Sequence, residues 1–453
     1  MKPSPSRLVC RGCGAAPQCD EPYPFRCPNA GRDDVDHVLV RVLDYAQVRF
    51  PGSAAGPDEP FVRYRGLLHS YHRARAGGLP DDEYATLVER LDEAVRAVDG
   101  RGFVATPLAR VAGLSDHLGF DATGGVWVKD ETGNVAGSHK ARHLMGVLLH
   151  LEVSERLGLA DPSARPDLAI ASCGNAALAA AVLARAAGRR LRVFVPDEAD
   201  PGIVRSLTGL GADVVACARQ PGASGDPCFA RMRNDLARGA IPFTCQGTEN
   251  GLVIEGGETL GYEIAAELSA AGTAVDHVVV QVGGGALASA CSQALREAVE
   301  LGALARMPRI HAVQTVGGHP LDRAYRKVRQ LLPESPTVAE VDATLRTAAT
   351  QRSRFMVPWP DEPHSIATGI LDDETYDWLA VVDGLLKSGG QSVVVSEARI
   401  ARANELGREA GYPVDHTGTS GLAGLLQLVD DGVVRPSDRV VVLFTGLDRS
   451  AMR

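Results

Sequence analysis

The sequence predicts an α/β protein with parallel sheets, divided into two large domains behind an N-terminal appendage. Three observations carry that prediction. At roughly 100–200 residues per domain, a chain of 453 residues exceeds a single domain. From about residue 100 onward, short unbroken runs of Val, Ile and Leu alternate with helical stretches, the pattern of strands buried on both faces. The first 37 residues break that pattern, being rich in Pro, Gly and Cys.

Along the chain, residues 1–37 read as an irregular module and Val38–Tyr45 as a short strand. Pro51–Pro60 reads as a Pro/Gly/Ala loop. Asp81–Val98 reads as a helix, because Tyr84, Leu87, Val88, Leu91, Val95 and Val98 recur at helical spacing and Asp81 or Asp82 supplies an N-cap. Strands are expected at Val126–Lys129, Leu168–Ala171, Leu191–Val195, Asp213–Ala216, His277–Val282, Ile310–Gln314, Ser392–Ser396 and Val440–Phe444. Helices are expected after the first of these through Leu151, over Asn175–Ala187 and over Ile203–Leu210.

Composition narrows the function classes. An apolar share of 45% and a charged share of 23% are ordinary for a folded globular chain and exclude disordered and collagen-like structure. A net charge of −9 argues against nucleic acid, whose phosphates need a basic surface. No apolar run reaches the roughly 18 residues that span a bilayer, and Met1–Arg11 has no apolar signal core, so a cytoplasmic protein is expected.

Four of the nine cysteines, Cys10, Cys13, Cys19 and Cys27, fall within the first 27 residues, and the rest are spread through the chain. That is not the disulfide framework of a small secreted fold. Cys10 and Cys13 have the spacing of thiolates that share one tetrahedral zinc, with Cys19 and Cys27 able to complete the set. Free thiols in a reducing cell are the alternative. Only five of the 47 basic residues are lysines: Lys2, Lys129, Lys140, Lys327 and Lys387. A lysine in an unusual motif therefore points to chemistry that needs an amine able to lose its proton, which arginine cannot do.

Four motifs stand at element boundaries. The stretch from Lys129 to His143 carries a Gly-Ser turn leading into a helix whose first turn holds Lys140. An amine at a buried helix N-terminus suits Schiff-base chemistry; a solvated lysine on a helix face is the bland alternative. Ala171–Ala176 places Ser172, Cys173, Gly174 and Asn175 between a strand and a helix, where amides and polar side chains hold an anion or simply cap the helix. Val282–Leu287 runs a strand through Gly283, Gly284 and Gly285 into a helix, a phosphate-cradling geometry or a tight turn. It lacks the G-x-G-x-x-G spacing of a dinucleotide fingerprint. His416–Leu422 is rich in hydroxyls, and by itself reads as a capping segment.

Taken together, the order and spacing of these motifs resemble the fold type II family of pyridoxal-phosphate (PLP) enzymes, which includes threonine synthase, threonine and serine dehydratases, cysteine synthase and the tryptophan synthase β subunit. The resemblance covers about residues 100–450. It takes in Thr106-Pro107-Leu108, the Glu255–Glu263 stretch before the glycine strand and Ser365–Gly369 after it. The Cys10–Cys13 pair, the Cys27-Pro28 turn and the Ala171–Gly188 stretch are similar to the threonine synthase branch. The resemblance implies two doubly wound α/β domains with the active site between them, a homodimer, and bound PLP. It implies that Lys140 carries the cofactor and moves the Cα proton, and that Asn175 bonds the ring hydroxyl. Ser172, Cys173 and Gly174 (with Asn175) then bind the substrate carboxylate. Gly283, Gly284, Gly285, Ala286 and Leu287 hold the phosphate, and Thr417 or Thr419 faces the pyridine nitrogen. The implied activity is elimination or replacement at Cβ or Cγ of a hydroxy-, phospho- or acyl-amino acid, as in a lyase or synthase. The implied division is 1–37 for the Cys-rich module, 38–105 for an extension, 106–145 with 240–453 for the large PLP domain, and 146–239 for the small domain.

Two positions depart from the family pattern. His139 stands where phenylalanine is usual before the lysine, as in the tryptophan synthase β subunit, and is either a phosphate contact or a ring covering the cofactor edge. Cys173 stands where threonine or serine is usual. A phosphorylated substrate would need a second anion pocket, for which Arg142 and Arg205 are candidates against a reading as solvated arginines. Two other classes compete. A nicotinamide-dependent oxidoreductase would need the missing glycine fingerprint, and a non-catalytic zinc module on a degenerate domain would be favoured had Lys140 been absent.

Overall fold

The computed structural model describes residues 4–31, 33–52, 58–218 and 225–449. Residues 53–57 of the expected Pro/Gly/Ala loop lie outside the described residues. Two strands, β1 (Ser6–Cys10) and β2 (Leu39–Leu43), form an antiparallel hairpin at the N-terminus. Ten more strands follow: β3 (Leu108–Arg110), β4 (Gly125–Asp130), β5 (Leu168–Ala171), β6 (Leu191–Pro196), β7 (Asp213–Cys217), β8 (Ile241–Pro242), β9 (His277–Gln281), β10 (Arg309–Thr315), β11 (Ser392–Val395) and β12 (Arg439–Phe444). They build two sheets, one of six strands in the order β11-β10-β9-β12-β4-β3 and one of four in the order β7-β6-β5-β8.

All pairings in the two sheets are parallel except β3 on β4. The central strands explain why. The sequence of β9, HVVVQ, is buried at every position, and five of the six residues of β12 are buried, so each strand needs cover on both faces. Helices supply it. In β3 only Leu108 is turned partly inward, as suits an antiparallel edge.

The helix Lys140–Arg156 is held against the helix Val253–Ala270 by glycine. A Cβ on Gly256 would stand 2.0 Å from the Arg142 carbonyl oxygen, and one on Gly257 would stand 2.1 Å from the His143 ring. This backbone-to-backbone approach fixes where the first turn of the Lys140 helix points. No helix among the described residues is long and apolar enough to cross a membrane.

Several elements differ from expectation. The Asp81–Asp99 helix starts after Pro80, which makes no side-chain cap. Asp81 and Asp82 are instead inside the first turn, where their charge meets the positive end of the helix dipole. Strands β1, β3 and β8 were not expected, being short, amphipathic or interrupted by proline. Residues 60–76 carry short helices between the loop and the Asp81–Asp99 helix. The four-stranded sheet ends with β8, past residue 239, and the Lys140–Arg156 helix runs through the expected boundary at 145.

Candidate active site

In open α/β sheets ligands gather beyond the carboxyl ends of the strands, and the singled-out motifs converge there. The chain leaves β4 at Asp130, turns through Val135–Gly137 and starts a helix at Lys140. Ala136 has φ 52°, the only positive φ outside glycine among the described residues. Such strain persists only where neighbours enforce it, and it collects at functional sites. Here the Asp99 carboxylate accepts the Ala136 amide at 3.0 Å, and Arg449 donates to the Ala136 carbonyl. Ser138 then bridges to Gly446, just past β12. His139 is buried, with Nδ1 3.3 Å from the Thr445 carbonyl oxygen.

From the smaller sheet, β5 ends in Ser172–Gly174 and the helix Asn175–Ala186 begins. The Ser172 hydroxyl accepts the Gly174 amide at 3.3 Å, and Cys173 is exposed. Asn175 accepts from Arg449, and its amide nitrogen lies 3.0 Å from where a Cβ on Gly446 would stand. Arg449 therefore ties the Asn175 loop to the strained turn before Lys140, joining the two lobes across the site.

At the end of β9, Gly283–Gly285 lead into the helix Ala286–Glu300, whose first-turn amides lack helical acceptors. Segment 370–377 packs on this loop. The Gly284 carbonyl accepts from the Asp377 amide at 2.9 Å and the Gly283 carbonyl from the Thr375 hydroxyl at 3.0 Å. A Cβ on Gly283 would meet an Asp372 carboxylate oxygen at 2.5 Å, and one on Gly284 would meet the Tyr376 ring at 2.9 Å. Only glycine fits.

The electrostatics are those of a site with few mobile charges. Burial pushes His139 well below its ordinary range, with Lys140 adding to the effect, and pushes His143 down to about 3, so both rings are neutral near pH 7. A neutral His139 that donates through Nδ1 to Thr445 has only an acceptor left at Nε2. In that state the ring has no second N–H to offer a ligand. Burial raises the Asp372 carboxyl to about 6 against the pull of Lys140 and the Gly284 amide. Burial, with Asp36 adding, raises Asp377 to about 7. Burial also raises the Cys245 thiol, with Lys140 opposing.

The residues present fit PLP. Three buried polar atoms around the site, Ser138 Oγ, Gln281 Oε1 and Asp377 Oδ2, have no hydrogen-bond partner among the described residues. Buried polar groups are normally paired, so these are vacancies for a polar ligand. The glycine loop offers the close backbone approach that a phosphate needs. Lys140, at the head of its helix, is the lysine near Asp372, Asp377 and Cys245.

Not every expected residue is where the motifs suggested. Thr419 is fully buried, and its hydroxyl lies 3.1 Å from the Asp415 carbonyl oxygen, so it faces away from the site. Thr417 is half-buried and accepts the Gly369 amide at 2.9 Å. Thr445 was missed. It follows β12, its carbonyl meets His139, and its hydroxyl accepts from Gln281 Nε2 at 2.5 Å. Its position one residue past a buried strand, before a glycine, was the available signal. Arg142 is not part of an anion pocket. It is wholly buried and held by Glu131 at 2.9 Å and Glu263 at 2.6 Å. Arg205 is exposed on the helix Pro201–Gly209, as the solvated reading has it. Among the N-terminal cysteines, Cys10, Cys13 and Cys27 come together, but Cys19 stands outside the group and His37 takes the fourth place.

A half-buried lysine at the head of a helix, with a glycine loop at a neighbouring strand end, is the arrangement a cofactor site needs. Residues 101–446 match the pyridoxal-phosphate dependent enzyme family, and the chain belongs to it. The threonine synthase of Methanosarcina acetivorans is 26% identical over 444 residues, covering 97% of this chain and 91% of that one. The threonine synthase of Methanocaldococcus jannaschii is 25% identical over 75% of this chain and 74% of its own length. Among solved structures, the processed form of threonine deaminase isoform 2 from Solanum lycopersicum superposes with a TM-score of 0.59 at 16% identity, over 82% of this chain and 91% of that one. Diaminopropionate ammonia lyase from Escherichia coli gives 0.59 at 17% identity, over 81% and 89%. These likenesses establish the fold type II architecture.

Proposed function

We propose that this chain is a PLP-dependent lyase or synthase that removes a leaving group from Cβ or Cγ of a small amino acid, in the manner of threonine synthases and dehydratases. The observation that carries this reading is the convergence of Lys140, the Ser172–Asn175 loop and the Gly283–Gly285 loop at the strand ends of two lobes. When bound, the cofactor supplies the electron sink for the pair left on Cα. Lys140 Nζ holds the cofactor and takes and returns the Cα proton. Ser172, Cys173, Gly174 and Asn175 orient the substrate carboxylate, and the amides of Gly283–Leu287 hold the phosphate.

Neutral groups meet the far side of the site. The Thr445 and Thr417 hydroxyls and the Gln281 amide stand at the strand ends, and none carries a charge that would enforce protonation of a pyridine nitrogen. A weaker sink favours elimination over transamination.

The charge of the approach narrows the leaving group. A cavity of about 880 Å³ reaches Asp372 and Tyr376 from outside, and eight carboxylates but only three arginines line it. A like charge entering such a wall is repelled. Hydroxy- and acyl-amino acids fit this approach better than phosphorylated ones, which favours a dehydratase or a β-replacement enzyme acting on an uncharged or acylated side chain. None of the nine cysteines is in a disulfide, in keeping with a reducing cytoplasm. The family resemblance supports a homodimer, which sedimentation checks.

Assay of the holoenzyme with hydroxy-, acyl- and phospho-amino acids tests the proposal. Release of a 2-oxo acid or a replacement product is expected from the first two classes, with perturbation of the cofactor's visible absorption. Turnover confined to transamination would contradict it.

A further inference from the structure

The N-terminal hairpin brings together a donor set outside the PLP site. Cys10 closes β1, Cys13 sits in the turn that follows, Cys27 is buried in a later turn, and His37 lies two residues before β2. One ligand atom from each lies within 4.8 Å of all the others. Cys13 Sγ is 3.6 Å from Cys27 Sγ, and Cys10 Sγ is 3.6 Å from His37 Nδ1. A disulfide requires about 2.05 Å. Zinc–sulfur bonds of about 2.3 Å and a zinc–nitrogen bond of about 2.0–2.1 Å give a tetrahedron with edges of about 3.6–3.8 Å. The Cys13–Cys27 and Cys10–His37 separations match two of those edges, and the remaining pairs lie within 4.8 Å.

The surroundings complete the geometry. The Asp33 carboxylate lies 3.1 Å from His37 Nε2, which leaves Nδ1 facing Cys10. This is the carboxylate–histidine–metal arrangement that fixes ring orientation and tautomer in metal sites. The Asn29 amide donates to Cys27 Sγ at 3.4 Å and the Asn29 side chain to Cys13 Sγ at 3.7 Å. Gly14, at φ +75°, donates its amide to the Cys10 carbonyl at 2.9 Å, which curls the chain so that both thiols face one point. Gly12 leaves room for the 35–36 backbone, since a Cβ there would stand 2.5 Å from the Asp36 carbonyl oxygen.

We propose that Cys10, Cys13, Cys27 and His37 bind one zinc ion in a closed, structural site that clamps the N-terminal hairpin onto the large lobe. Four protein ligands leave no open position for substrate or water, so the ion has no role in turnover chemistry. The clamp acts through the loop that ends at His37. Asp34 accepts from the Ser353 amide at 2.8 Å and from its hydroxyl at 2.9 Å, and the Asp34 carbonyl accepts the Arg352 amide at 2.8 Å. Asp36 pairs with Arg352 Nε at 3.1 Å, and Arg352 pairs onward with Glu374 at 2.5 Å. Glu374 belongs to the segment that covers the glycine loop. The ion thus holds one wall of the approach cavity, to which Asp33, Asp36 and His37 contribute.

Elemental analysis of the full-length holoenzyme, equilibrated with zinc and a thiol reductant and then desalted, tests this. One zinc per chain is expected. Cys13→Ser and His37→Ala should each lower the content several-fold, whereas Cys19→Ser should leave it unchanged. Exchange with cobalt(II) should give thiolate-to-metal charge-transfer absorption that Cys13→Ser loses. Where a variant does not fold, titration of the wild-type protein with a mercurial substitutes, and zinc should leave in step with thiol modification. Stripping the ion should speed hydrogen exchange at residues 34–37. Wild-type protein without stoichiometric zinc would overturn the proposal, as would equal loss in Cys19→Ser and Cys13→Ser.

Discussion

Lys140 and Arg142 are two residues apart on the first turn of one helix, yet they live in opposite regimes. Arg142 is closed in. Its guanidinium is shared by Glu131 and Glu263, Thr259 and Thr106 accept from it, and Lys129 pairs with the same Glu263 at 2.8 Å. Every charge there has a partner. Lys140 instead looks into a region with unpaired Ser138 Oγ and Asp377 Oδ2 and with carboxyls that burial has raised. The Arg142 cluster pairs its own charges, while the surroundings of Lys140 leave polar atoms open to a ligand.

Removing each side chain should separate the two regimes. Lys140→Ala should lower turnover by about 10³-fold or more, the scale of losing an essential proton-transfer group, while the unfolding midpoint stays close to wild type. Arg142→Met should do the reverse. It leaves Glu131 buried without its cation and Glu263 with Lys129 alone, and should cost about 3–5 kcal/mol in denaturant unfolding. Gly284→Ala sharpens the contrast from the phosphate side. Its methyl would press on the Tyr376 ring, and a titration of apoprotein with PLP should show affinity weakened by about tenfold or more.

The raised carboxyls give a smaller effect with a definite sign. Asp372 and Asp377 hold their protons more tightly folded than unfolded, at about 6 and about 7. Their contribution to apoprotein stability is therefore complete below the ordinary carboxylate range and is lost as pH rises through about 6 to 7. Asp377→Asn should flatten that loss by about 1 kcal/mol or more between about pH 5 and pH 8, read from urea midpoints. Arg205→Met, exposed and far from these features, should change stability by no more than about 0.5 kcal/mol.

Much of this was legible in the sequence. Leu168–Ala171 matches β5 residue for residue, and the buried strands β9, β10 and β12 differ from expectation by a residue or two. Continuous apolar runs announce such strands because both faces are buried. Lys140, Asn175 and the three glycines were legible because their spacing sits at strand-to-helix junctions. What escaped depends on contacts across the chain. Thr445 and Gln281 meet only through sheet order, since 164 positions separate them. Arg142 looked like a free cation because Glu263, its partner, is 121 positions away. His37 was invisible as a metal-site residue because no tight spacing links it to Cys10, and only the β1–β2 pairing brings them together.

The most direct measurement is borohydride reduction of the holoenzyme followed by peptide mass mapping. The visible absorption should be lost and the reduced pyridoxyl group found on Lys140. A protein that binds no PLP, or an adduct on Lys129, Lys327 or Lys387 with Lys140 unmodified, would contradict this.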